Sequence, residues 1–414
     1  MTERVSFKKP FWFYLGPAFL VSVGYMDPGN WATSLEAGSR YGYALLWVVT
    51  LSSAIAVLMQ MLAAKLGIAT GRDLAQLMRE RYPRRTARFL FLTAILAMMA
   101  TDLAEFLGVA LALNLLFGIP LVIALFLTIF DVLFILWLER FGFRWVELTI
   151  LGFVAIIGLA YVVEIFLAKP AIGAVIYNAF VPNATIFDAT ALFIAIGILG
   201  ATVMPHNLYL HSARVKTRLV NNHERRERIY YWSVVDTVSA LGAAWLVNSA
   251  ILIMASAVFH NRGLLVTDID QAYLTLTPLL GKAAALTFGV ALLASGISSS
   301  TTGTLAGQVV FEGFMGLRRV NPVRIRLILR LATMLPAAVA ILLAARPLSL
   351  LVLSQVILSM QLPFSIIPLV RFTSDPKLMG ELANPPLIKV LAWTAATIIV
   401  ILNLLLLAFA FGSI

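Results

Sequence analysis

Asp27-Pro28-Gly29-Asn30 stands inside an apolar run at 11–38, and Met204-Pro205-His206-Asn207 stands inside a second at 187–211. Proline lacks an amide donor, and its ring crowds the carbonyl four residues back, so neither run continues through its proline as one regular helix. The pieces on either side, 11–26 and 31–38 in the first run and 187–200 and 208–211 in the second, are too short to cross a bilayer. Each joined pair is long enough, since a hydrocarbon core about 30 Å thick takes roughly 20 helical residues. The pattern predicts two membrane helices, each broken near its middle, with Pro28, Gly29, Pro205 and Asn207 marking the breaks. Surface turns, the alternative these residue types favour, would leave fragments that span nothing.

The rest of the chain agrees. Of its 414 residues 61% are hydrophobic and only 12% charged, and the mean hydropathy is +0.94, whereas soluble domains carry about one quarter charged residues. Apolar runs predict about eleven spans, at 11–38, 44–66, 89–117, 121–138, 146–167, 187–211, 231–259, 283–314, 327–345, 350–370 and 387–411. A net charge of +11 raises the question of a nucleic-acid partner, and the placement of the charges answers it. With the N-terminus inside, all but five of the 31 Lys and Arg fall on inner segments, the exceptions being Arg40, Lys169, Arg262, Lys282 and Arg346. That asymmetry is a topology signal, N-terminus inside and C-terminus outside, and not a nucleic-acid footprint. The chain has no cysteine, so disulfides and thiolate ligands are excluded.

No segment between spans is long enough to fold alone, so a single membrane domain is expected over 1–414. The two breaks open the first and sixth spans. Five spans per half is an odd number, so the second half enters the membrane from the opposite side, which predicts inverted repeats at about 11–168 and 187–370 with an extra helix at 387–411.

Chemistry at the breaks points to a cation. Each proline frees backbone carbonyls, including that of Ala201, and the half-helices preceding the breaks aim their negative C-terminal ends at the same depth. Asp27 adds a formal charge, which costs roughly 2.5–3.5 kcal/mol at a helix centre unless compensated. Asn30, one turn on, offers an amide oxygen, and Met204 offers a thioether. A lone Met in a membrane helix ordinarily fills space. At a break, its sulfur favours softer ions such as manganese(II), iron(II), cobalt(II) or cadmium(II) over magnesium and calcium, which prefer all-oxygen shells.

Asp27-Pro28-Gly29-Asn30 together with Ala201-Thr202-Val203-Met204-Pro205-His206-Asn207 resembles the paired signatures of the Nramp family of proton-coupled divalent-metal transporters. Lys65-Leu66-Gly67-Ile68-Ala69-Thr70-Gly71-Arg72-Asp73, Asp102-Leu103-Ala104-Glu105 and the stretch QVILSMQLPF from Gln355 to Phe364 extend the resemblance over nearly the whole chain. The resemblance implies an all-α polytopic LeuT-like fold and import of manganese(II) or iron(II) with protons by alternating access. It also implies a bacterial inner-membrane location, with no cofactor beyond the transported ions. Asp27, Asn30, Met204 and the Ala201 carbonyl match the family's metal ligands, and Gln355 matches a ligand that joins on occlusion.

Asp102 and Glu105, three apart, share one face of the third span in a stretch with no other charge. Buried like charges seldom both ionise, so one is expected to hold a proton, as a relay requires. Arg330 is the one plausible basic partner. In the family, residues matching all three form a proton route leading away from the metal site, so the expected route runs from Asp27 through Asp102, Glu105 and Arg330, and His206 is placed to receive or tune that proton. His211 reads as a structural histidine, and Asp131 and Asn248 as polar packing without assigned roles. Among rivals, an amino-acid transporter on the same scaffold is disfavoured because Asp27 would repel a substrate carboxylate. A channel would show a polar pore or carbonyl filter. A metalloenzyme is disfavoured because His206, His211, His223 and His260 are scattered. The expected partners are divalent metal ions, protons and membrane lipid, with no nucleic acid and no oligomeric state specified.

Overall fold

A computed structural model of the chain describes residues 16–128, 130, 133, 134, 137, 138, 140–219, 225–316, 322–343 and 346–412. Asp131, His223 and most of the expected fourth span after 128 lie outside these residues. The helices, in chain order, are α1 (Pro17–Ser22), α2 (Pro28–Tyr41), α3 (Leu46–Thr70), α4 (Leu74–Arg81), α5 (Arg84–Phe117), α6 (Leu121–Leu127), α7 (Phe143–Ala168) and α8 (Ile172–Phe180). They continue as α9 (Ala189–Val203), α10 (Pro205–Arg214), α11 (Arg226–Val258), α12 (Ile269–Leu280), α13 (Lys282–Met315), α14 (Pro322–Leu342), α15 (Pro347–Thr373) and α16 (Pro386–Gly412). No strand occurs among the described residues. Among the described residues, eight helical stretches are long and apolar enough to cross a membrane by length and composition.

Proline opens α1, α2, α10, α14, α15 and α16. At a first helical position the missing amide costs nothing, because it would have had no intrahelical acceptor, and the fixed φ suits the helix. The same residue that ends one helix thus starts the next, and this produces both breaks. α1 passes into a 3-10 turn (Val23–Met26), Asp27 turns extended, and α2 begins at Pro28. α9 ends at Val203 and α10 begins at Pro205, with Met204 between them at φ 40°, ψ 103°. Positive φ in a non-glycine residue costs of order 1–3 kcal/mol and persists only where its surroundings over-determine it.

Burial runs inside out relative to a soluble protein. In the most apolar window of 189–218, which contains the second break, 83% of residues are buried, against 28% for α7 and for α16. Phe166 and Phe187 are 80% and 81% exposed, while Asp27, Asp102, Glu105, His206, His211 and Arg330 are buried. Large exposed apolar side chains around a polar interior are what a lipid solvent selects. α5 packs along α13, α14 and α15; α9 lies on α15, and α11 lies on α2 and α3. Both breaks are therefore held at the centre. Trp31 on α2 is fully buried there, meeting Tyr161 of α7 and Phe288 of α13 edge-on at centroid distances of 5.0 and 5.1 Å.

Candidate ion site at the two helix breaks

Asp27 serves two purposes with its two oxygens. As N-cap of α2 its Oδ1 accepts from the Asn30 backbone N–H (2.7 Å) and from Asn30 Nδ2 (2.8 Å), the usual capping arrangement for an aspartate. Its Oδ2 is buried and makes no hydrogen bond of ordinary geometry among the described residues. Capping explains one oxygen and leaves the other, which in a dry interior calls for a positive partner.

Asn30 joins the two breaks. Its Nδ2 also donates to the Ala201 carbonyl at 2.9 Å, the acceptor that Pro205, four residues on, leaves without its helical partner. Two acceptors on one side fix the amide with its nitrogen toward Asp27 and Ala201, and Oδ1 accepts from Asn248 Nδ2 at 3.2 Å. The carboxylate of the first break and the carbonyl of the second therefore belong to one site. The sequence-derived expectation that carbonyls at the first break stay free is corrected. Tyr25 O accepts from Asn248 Nδ2 at 2.7 Å, and Met26 O accepts from Trp31 Nε1 at 3.2 Å and from Ser295 Oγ. Side chains take up these carbonyls because the chain turns at Asp27 without leaving the packed interior.

Gln355 touches both breaks. A Cβ at Gly29 would stand 1.8 Å from its Nε2, and a Cβ at Gly200 would stand 1.9 Å from its backbone oxygen. Its Nε2 donates to Ser354 Oγ at 3.0 Å, while its buried Oε1 has no partner among the described residues. Asn207 Oδ1 is likewise unpartnered, and Asn207 Nδ2 lies 3.4 Å from Met204 Sδ. The unsatisfied atoms at the breaks are thus acceptors contributed by Asp27, Gln355 and Asn207. No group of three or more His, Asp or Glu converges among the described residues, and Asp27 is the one carboxylate among the break residues named here. Gly200→Ala is expected to lower stability by about 1–3 kcal/mol by prising α9 from α15, read as thermal unfolding in detergent. Unchanged unfolding would show that this close approach is not needed.

A second polar cluster lies beside the first. Arg330 of α14 donates from Nη1 to Asp102 Oδ1 (2.7 Å) and Glu105 Oε2 (3.1 Å), both on α5, and it also bonds Ser300 of α13. Its guanidinium stands 3.9 Å from the centre of the Phe106 ring. The expected ion pair is a triad. His206 Nδ1 and Thr101 Oγ1 share a hydrogen bond at 3.1 Å, which sets the histidine of the second break next to the residue preceding Asp102. Pro28 meets the same helix at Gly108, where a Cβ would lie 2.1 Å from the proline ring.

Residues that sequence reasoning left without a role complete the picture. Asn248, read as polar packing, bridges Tyr25 and Asn30 across two elements. His211 donates from Nδ1 to Gln60 Oε1 at 2.8 Å, in a direction fixed by Gln60 Nε2 donating to Tyr25 Oη at 2.6 Å. Gln60 passed unnoticed, although an isolated amide in an apolar span is itself the signal that would have found it.

Comparison with known proteins follows this geometry. The fold is also that of MhsT, solved in complex with L-phenylalanine, at TM-score 0.66 and 15% identity over 94% of this chain and 97% of that one. This likeness shows the fold, which is LeuT-like. It matches the natural resistance-associated macrophage protein-like (Nramp) family over residues 18–409. It is 50% identical to the divalent metal cation transporter MntH of Mesorhizobium japonicum over 98% of this chain and 90% of that protein, and 48% identical to MntH of a Nostoc species over 97% and 92%. The structure of the Eremococcus coleocola manganese transporter superposes with TM-score 0.87 at 37% identity, covering 100% of this chain and 90% of that one. The chain belongs to the Nramp family and, as a member, is a membrane transporter and not an enzyme.

Proposed function

We propose that the chain imports divalent transition-metal ions, manganese(II) first and also iron(II), cobalt(II) or cadmium(II), together with protons, by alternating access across a bacterial inner membrane. The observation that carries this reading is the Asn30 amide joining the Asp27 carboxylate to the Ala201 carbonyl, which makes one site of the two breaks. In this reading the Asn30 amide turns over, so that its oxygen replaces its nitrogen toward Asp27 and Ala201, and a metal takes the place of the amide hydrogens. Asp27 supplies the charge, Ala201 a carbonyl oxygen, Asn30 and Gln355 amide oxygens, and Met204 its thioether. The negative C-terminal ends of the 3-10 turn at Met26 and of α9 at Val203 favour the same cation. Support for manganese comes from what the Eremococcus protein is named to carry.

Protons follow a separate route in this proposal. They pass His206 and the Asp102, Glu105 and Arg330 triad, whose hydrogen-bond contact at Thr101 lies beside the second break. The charge asymmetry supports an inner N-terminus and an outer C-terminus. Repeats at about 11–168 and 187–370, with the helix at 387–411 added, are the proposed moving halves. An amino-acid substrate is disfavoured by a carboxylate at the site.

Uptake into proteoliposomes, with metal competition at two external pH values, tests substrate and coupling together. Met204→Ala is expected to retain manganese uptake while calcium becomes about a tenfold better competitor, because the lost sulfur is the ligand calcium cannot use well. Unaltered calcium competition would remove Met204 from the selectivity argument.

A further inference from the structure

The N-terminal end of α5 and the C-terminal end of α13 enclose a cavity of about 230 Å³ that the transport reading leaves unused. Its rim is cationic, formed by Arg79 of α4 and by Arg84 and Arg88, one turn apart on α5, and its floor is Phe91, Phe314 and Met315. Arg84 and Arg88 make no ion pair or hydrogen bond among the described residues. Arg79 reaches Glu80 only at 3.7 Å, and Glu80 is shared with Arg72. The rim therefore keeps an excess of positive charge around a small space. Below it, Phe91 and Phe314 pack at a centroid distance of 5.6 Å. Along α5, Phe91 lies on the same face as Arg84 and Arg88, whereas the exposed Phe89, Leu92 and Leu96 lie on another face, that of Arg85.

We propose that this cavity binds the phosphodiester headgroup of an anionic phospholipid, with the apolar part of the lipid against Phe91, Phe314 and Met315. Guanidinium groups match phosphate oxygens in bidentate geometry, and basic pockets between membrane helices at the cytoplasmic face suit such headgroups. The apolar floor gives a chain-bearing ligand a surface that free phosphate cannot use. The placement of this end at the inner leaflet rests on the topology proposed above; binding measured in detergent does not, so the two fail separately.

The test is thermal unfolding and native mass spectrometry of the purified full chain in uncharged detergent, titrated with phosphatidylglycerol, with phosphatidylcholine, or with inorganic phosphate. Phosphatidylglycerol is expected to bind and stabilise the native chain, and to bind the Arg84→Gln/Arg88→Gln variant roughly tenfold to thirtyfold more weakly. Arg85→Gln, which removes an exposed charge from the same turn outside the cavity, is expected to bind as the native chain does. Arg84→Lys/Arg88→Lys is expected to recover part of the loss. Equal weakening by Arg85→Gln would reduce the effect to bulk surface charge and overturn the proposal. So would equal binding of phosphatidylcholine, or stabilisation by phosphate alone.

Discussion

Asp27→Asn is expected to cut manganese uptake into proteoliposomes by more than about 100-fold while leaving the protein folded. The magnitude follows from the proposed ligand set: losing even outer-shell partners of a metal commonly costs about 10–100-fold, and here the substitution removes the set's one charge. Folding should survive because asparagine caps a helix about as well as aspartate. Its side-chain oxygen can still accept from the Asn30 backbone N–H, as Asp27 Oδ1 does at 2.7 Å. The two functions of Asp27 are thereby separated, since the cap persists and the unpartnered carboxylate oxygen is gone. Manganese flux that survives in a well-folded Asp27→Asn protein would refute the site.

Arg330→Met is expected to destabilise the protein by about 3–5 kcal/mol, the scale for removing one partner of a buried ion pair. Arg330, Asp102 and Glu105 have side chains 2%, 10% and 1% exposed, so water cannot replace the guanidinium. Loss of the arginine leaves two carboxylates facing each other between α5 and α14. Adding Asp102→Asn and Glu105→Gln to Arg330→Met should recover most of the loss, because amides and a methionine leave no uncompensated charge. Thermal unfolding of the three proteins, native, single and triple variant, decides the matter. A single variant as stable as the native chain would mean that the triad does not hold α14 against α5.

The spans were legible because a lipid solvent imposes a coarse rule: about 20 apolar residues in a row. α3, α5, α7, α11, α13, α15 and α16 each contain or nearly match their expected runs. What escaped that rule was short. α4, α8 and α12, of 8, 9 and 12 residues, cannot span and so leave no such trace. α4 had a local signature all the same: Asp73 and Gln76 form a reciprocal capping box at its start. At the candidate site, Asp27, Pro28, Pro205, Asp102, Glu105 and Arg330 are announced in the sequence by charge or by proline. Asn248 and Gln60 were not assigned, because their meaning lies in partners on distant elements. Asn248 reaches Tyr25 and Asn30 from far along the chain, and no periodicity encodes that pairing. The carbonyls of the first break were misjudged for the same reason, since their donors Trp31, Asn248 and Ser295 come from three helices.

The seating of Pro28 against Gly108 carries a mechanical consequence. Pro28 opens the half of the first broken helix that follows the break, and Gly108 lies three residues beyond Glu105, so the two proposed ion routes meet at a bearing with no lubricating side chain between its surfaces. A rigid ring pressed on bare backbone has little freedom to slip. Rotation of α2 about its break must drag α5, or climb over it, and the carboxylate triad rides on whichever happens. Ion and proton steps would then be geared through contact, with no need for the metal and the proton ever to share a ligand.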